Sequence, residues 1–67
     1  MVKNKLLQIR LSLGYKFQKD FADFLQINQY QYCRYENNTT QPSLEILLNI
    51  TEKLKCKMED IIYKSNE

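Results

Sequence analysis

Leu6, Ile9 and Leu13 recur at the spacing of one helical face, with Leu7 and Leu11 widening the stripe, which predicts an amphipathic first helix of about three turns. Gly14 is placed to end it in the left-handed conformation that glycine adopts without steric cost. Phe21, Phe24 and Leu25 predict a second helix of about two turns. Asn28 then stands as an N-cap for a short third helix over roughly 29–37, whose inward positions are Tyr32 and Tyr35. The run 37–42 is polar, turn-prone and closed by Pro42, so it reads as a loop. Ser43 caps a fourth helix with Leu44, Leu47, Leu48, Thr51 and Leu54 as its buried stripe, and a last turn or two carries Met58, Ile61 and Ile62. No window alternates at period two over a strand length. The pattern predicts an all-α fold of five helices in one domain spanning residues 1–67.

The chain of 67 residues is too short for more than one domain. Hydrophobic residues make up 43% of it, enough for a packed helical core and too many for a disordered segment. One Gly and one Pro encode few sharp turns, in keeping with helices on short connections. The net charge of +2 is unevenly spread. Lys3, Lys5, Arg10, Lys16 and Lys19 fall in a stretch with no acid, while residues 20–52 set Asp20, Asp23, Glu36, Glu45 and Glu52 against Arg34 alone. A basic N-terminal stretch suits either a polyanionic partner or an ordinary solvated helix face.

The absence of His and the presence of only Cys33 and Cys56 preclude a zinc-type ligand set, so no metal or cofactor is expected. Both cysteines read as reduced thiols, and no stretch approaches a signal peptide or a membrane span, which points to a cytoplasmic protein without membrane attachment. Acid–base catalysis needs convergent carboxylates or an imidazole, and a hydrolytic nucleophile needs a base. None is evident, there is no glycine-rich phosphate loop, and so small a core leaves no room for a substrate or small-molecule pocket. An enzyme is not expected.

A two-turn helix, a tight connection and a short helix with a polar outer side form the outline of a helix-turn-helix. Arg10, Gly14, Gln18, Phe21-Ala22, Leu25, Ile27, Asn28, Tyr32, Arg34 and Tyr35-Glu36 carry this outline. Pro42-Ser43-Leu44, Leu47, Ile50, Leu54 and the stretch from Met58 to Ile62 continue it. Over these positions the chain resembles the lambda-repressor-like, Xre/Cro-type family of transcriptional regulators, with the helix-turn-helix at about 18–37. It departs from the family at Gln26, Asn38 and Lys55, where glycine is usual, and at Phe17, where Ser or Thr usually caps the second helix. A left-handed non-glycine residue such as Gln26 would cost about 1–2 kcal/mol.

Helical geometry assigns the outward face of the third helix. At 100° per residue, Gln29, Tyr30, Cys33, Arg34 and Asn37 share an arc of about 140°, and the opposite arc holds Tyr32 and Tyr35. Gln29 can pair with adenine N6 and N7, Arg34 with guanine O6 and N7 or with a phosphate. Tyr30 offers a flat face to a thymine methyl, and the small Cys33 lets the helix approach closely. The resemblance implies base reading by Gln29, Tyr30 and Arg34. Phosphate contacts are expected from Lys16, Gln18, Asn28, Gln31, Asn37, Asn38, Thr39 and Thr40, with Lys19 adding long-range attraction. The resemblance also implies a partly buried ion pair between Arg10 and Glu36 that orients the reading helix.

One such helix reads only about four or five base pairs, so a two-fold homodimer on double-stranded DNA is expected. Met58, Ile61, Ile62 and Tyr63 are its candidate surface, although the first three could instead close the core. Repression at a pseudo-palindromic operator is the favoured role. The alternative is an antitoxin-type module that binds a protein as well as its own promoter; the few residues after Ile62 leave little for that task.

Overall fold

Asn28 and Ser43 start their helices as their side chains suggest. Asn28 Oδ1 accepts from the backbone N–H of Tyr30 at 2.9 Å and of Gln31 at 3.3 Å, and Ser43 Oγ accepts from that of Ile46 at 3.2 Å. Both satisfy donors that the first helical turn leaves without partners. In the computed structural model, which describes residues 1–66, four α-helices follow one another: α1 (Leu6–Ser12), α2 (Gln18–Leu25), α3 (Gln29–Glu36) and α4 (Leu44–Leu54). Gly14 ends the α1 segment at φ +87°, and nothing crowds the place of a missing Cβ, so backbone conformation alone calls for glycine there. Gln26, Asn38 and Lys55 also adopt left-handed φ values of 59°, 59° and 55°.

The expectation of five helices and a purely helical fold needs correction. The fifth helix is a single 3-10 turn, Met58–Asp60, pinned by the Lys57 N–H donating to Asp60 Oδ2 at 3.0 Å. The chain then extends into β2 (Ile62–Lys64), which pairs antiparallel with an N-terminal strand, β1 (Val2–Asn4). Lys3 opposes Tyr63 and Asn4 opposes Ile62. Strands of three residues are too short to display alternation, and each exists only because the other supplies its hydrogen bonds.

Leu6, Phe21, Ala22, Leu25, Tyr32, Tyr35, Leu47, Ile50 and Ile61 form the core. Phe21 sits at its centre, with the Tyr32 ring edge-on at a centroid distance of 5.6 Å and Tyr15 tilted against it at 5.1 Å. This core is narrower than the apolar stripes. On α4 it covers the arc of Ile46, Leu47, Ile50 and Leu54, so Leu48 stays exposed and Leu44, one turn too early, is 67% exposed. On α1 it takes Leu6 and part of Ile9, while Leu7, Leu11 and the C-cap residue Leu13 remain exposed. The remaining buried position of α1, one turn after Leu6, belongs to a charged residue, Arg10.

Candidate nucleic-acid interface

Two tyrosines decide which way α3 faces. Tyr32 and Tyr35 are buried together with Glu36, on an arc of about 100°. The remaining arc turns Gln29, Tyr30, Arg34 and Asn37 outward as exposed residues, with Cys33 half-buried between them. Tyr30 is 75% exposed, an unusual position for a large aromatic side chain that no neighbour covers. Had the body of the domain covered Gln29 and Arg34, no duplex could reach them; both are open.

A buried carboxylate fixes the helix in this orientation. Glu36 Oε2 accepts from Arg10 Nε at 2.9 Å and from the Tyr32 hydroxyl at 2.6 Å. Its Oε1 accepts from Arg10 Nη2 at 3.1 Å and Gln18 Nε2 at 3.0 Å. Arg10 also donates through Nη1 to the carbonyls of Tyr15 and Lys16, at 3.0 and 2.7 Å. One guanidinium thus joins α1, the connection into α2 and the end of α3. Burial by itself would push the Glu36 carboxyl up; the hydrogen bonds from Arg10, Tyr32 and Gln18, with the charge of Arg10, more than reverse this and hold it below the usual range. The hydrogen bond to Glu36 raises the Arg10 pKa further against the cost of burial. Burial first, and donation to Glu36 second, drive the Tyr32 phenol up, so it stays a donor.

The start of α2 lies beside the first residues of α3. Phe17 occupies the N-cap position in extended conformation without a side-chain cap, so the first backbone N–H groups of α2 are left for an outside acceptor. Lys16, Gln18 and Lys19 line one open depression with Gln29, which Asp20 also borders. The basic N-terminal stretch is therefore not a single face. Arg10 is withdrawn into the ion pair, Lys5 lies over the Tyr63 ring at 5.7 Å and Lys19 pairs with Asp23 at 3.0 Å.

On the other flank, the loop after α3 exposes Asn37 and Thr39 and half-buries Asn38 and Thr40. Asn38 Oδ1 faces inward, accepting from the Asn4 N–H at 2.8 Å and from Gln41 Nε2 at 2.9 Å, so only its Nδ2 remains to meet a phosphate. Asn28 is left likewise with Nδ2, its oxygen being the helix cap, and Gln31 is exposed toward the α4 side of the helix. Asn4 and Gln41 were not legible as part of this region. Asn4 carried a faint signal, an Asn two residues before a helix; Gln41 carried none. Tyr32 and Glu36 are one helical turn apart, a spacing that would have suggested their bond.

At the far end, the expected dimer surface loses one member. Ile61 has no exposed area and closes the core, because the 3-10 turn aims it beneath the helices. Met58, Ile62 and Tyr63 remain accessible and share an open groove with Val2. Among the described residues no helix is long and apolar enough to cross a membrane.

No curated protein matches the chain. A family model described as helix-turn-helix matches residues 6–61, from the start of α1 to the residue that closes the core. With α2 and α3 meeting across a three-residue turn and the outer side of α3 open, the chain belongs to the lambda-repressor-like, Xre-type family of helix-turn-helix DNA-binding regulators.

Proposed function

We propose that the protein represses transcription by binding a pseudo-palindromic operator as a weak homodimer that tightens on DNA. The observation that carries this reading is the open outer face of α3, with Gln29, Tyr30 and Arg34 exposed over a helix held rigidly from behind by Tyr32, Tyr35 and the Arg10–Glu36 pair. Such a helix, about 12 Å long, fits a major groove about 12 Å wide. Gln29 reads adenine, Arg34 reads guanine, Tyr30 meets a thymine methyl, and Cys33 keeps the centre of the face low. Phosphates on one flank bind Lys16, Gln18 and the uncapped N–H groups of α2. On the other flank they bind Asn28 Nδ2, Gln31, Asn37, Asn38 Nδ2, Thr39 and Thr40.

The second copy docks against Met58, Ile62 and Tyr63, joined by Val2, and sets the two reading helices about 34 Å apart on one side of the duplex. Repression then needs only occupancy of a promoter in the cytoplasm, without a small-molecule ligand. Selection of binding sites from random duplexes tests the whole reading. Two half-sites one helical turn apart support it; enrichment of no sequence over the starting pool overturns it.

A further inference from the structure

The terminal sheet is fastened to the reading head by side chains rather than by packing alone. Asn4 is a polar residue only 4% exposed, and every hydrogen-bonding group of its side chain has a partner. Its Nδ2 donates to the carbonyl of Tyr35, at the end of α3, at 2.6 Å and to Gln41 Oε1 at 2.8 Å. Its Oδ1 accepts from the N–H of Leu6 at 3.0 Å, starting α1. Its backbone N–H goes to Asn38 Oδ1 at 2.8 Å.

Gln41 closes the circle, donating through Nε2 to Asn38 Oδ1 at 2.9 Å and to the Val2 carbonyl at 3.2 Å. Ladder register explains why these groups are available. Lys5 N–H to the Ile61 carbonyl and Ser65 N–H to the Met1 carbonyl put Lys3 and Tyr63 in the hydrogen-bonded pair, so Val2 and Asn4 point their backbone groups away from β2. Asn38 and Gln41 cover that edge. The same contacts hold Asn38 in its left-handed conformation, where asparagine offers an acceptor that glycine lacks.

We propose that Asn4 and Gln41 are positioning residues for DNA binding: they lock the loop 37–40 against β1 so that it meets the phosphates in a single conformation. This inference rests on the DNA-binding reading above. Neither residue belongs to the face that meets DNA, and their effect passes through Asn38. Burial makes the lock effective, since a partly satisfied amide network beneath the loop would carry a desolvation cost in any other arrangement.

The test measures affinity at fixed salt for the duplex selected by the wild-type chain and for a mixed-sequence duplex of equal length, with Asn4→Ala, Gln41→Ala and the double variant. Each sample is first titrated stoichiometrically for its active fraction. The loop's donors are uncharged and release no counterions, so losing their phosphate contacts weakens binding to both duplexes by about tenfold and leaves the salt slope in place. The ratio of the two affinities stays within about twofold, because the base-reading face is untouched. The double variant binds no more weakly than Asn4→Ala alone, since both remove one lock. A variant that only lowers stability reduces the active fraction and leaves the affinity of the active molecules in place. Gln41 is half-buried and leaves the Tyr35 carbonyl paired, so Gln41→Ala carries the test if Asn4→Ala does not fold. Wild-type affinity in the active fraction of a folded variant, or losses of affinity that add in the double variant, overturns the inference while DNA binding stands. A wild-type chain that binds neither duplex overturns both.

Discussion

Four donated hydrogen bonds converge on the carboxylate of Glu36, two from Arg10 in α1, one from Gln18 at the start of α2 and one from Tyr32 a turn earlier in α3. Removing one member of a buried, hydrogen-bonded pair leaves the other charge uncompensated and costs about 3–5 kcal/mol. Arg10→Met and Glu36→Gln are each expected to destabilise the fold by that order, and the double variant by much less than their sum. Denaturant unfolding of the four species measures the coupling, and additivity would refute the pair. The pH dependence follows from the directions of the shifts. Glu36 titrates lower in the folded chain than its unfolded value of about 4.3, so its contribution is complete above that value and is lost as pH falls through the depressed one. Tyr32 titrates higher than its unfolded value of about 10, so its contribution is complete below pH 10 and is lost on rising above it. Stability measured against pH should hold level from the acid limit to about pH 8.5. Above that the thiol of Cys56, raised by burial, begins to withdraw its contribution. Glu36→Gln should flatten the acid side.

Left-handed residues give a second test at this scale. Gln26 caps α2 at φ 59° with no side-chain hydrogen bond among the described residues to compensate. Gln26→Gly is expected to stabilise by about 1 kcal/mol, raising Tm by about 4–8 °C for a domain of this size. Asn38→Gly relieves the same backbone cost and forfeits two accepted hydrogen bonds, so thermal unfolding should show no comparable gain.

At the scale of elements, α3 is a short lever with two dissimilar sides. Its inner side is aromatic and closes on Phe21, and its outer side carries amide, phenol and guanidinium groups that contribute little to stability. Gln29→Ala and Arg34→Ala should leave the unfolding midpoint within about 0.5 kcal/mol of wild type, as surface changes do. Each should relax base preference at one operator position by about 1–3 kcal/mol, read from affinities on single-base operator variants. A uniform loss across all variants would make that residue a phosphate contact instead. The α2 start and the loop after α3 stand on either side of this lever, one held by Arg10 through the carbonyls of Tyr15 and Lys16, the other by Asn4.

For the whole molecule, the two ends of the chain meet in the β1–β2 sheet, so the termini, the 3-10 turn and the reading head form one connected unit. Lys16, Lys19 and Arg34 are the cations each chain brings near the duplex, so a dimer neutralises about six phosphates at most. Affinity should fall by up to ~10³-fold between 50 and 200 mM salt. Affinity independent of salt would contradict binding through the backbone. The apolar groove of Val2, Met58, Ile62 and Tyr63 lies on this same unit, where a second copy would need to dock.

Local rules were enough for much of this protein. The helical repeat of Phe21, Leu25, Tyr32, Tyr35 and Leu47, the caps at Asn28 and Ser43 and the stop at Gly14 are short-range properties, readable because a helix satisfies its own backbone within four residues. The outward arc of α3 follows from the same geometry once its tyrosines are placed inside. What only the tertiary structure decided lies between distant residues. A three-residue strand has no periodicity until its partner, some sixty residues away, supplies hydrogen bonds, so β1, β2 and the 3-10 form of the last turn were invisible. The small core chose among more leucines than it could cover, leaving Leu44 and Leu48 outside and taking Ile61 in, because volume, not spacing, limits what is buried. Asn4, Asn38 and Gln41 found one another only in three dimensions: an amide's partners are set by which loops meet, and no spacing along the chain records that.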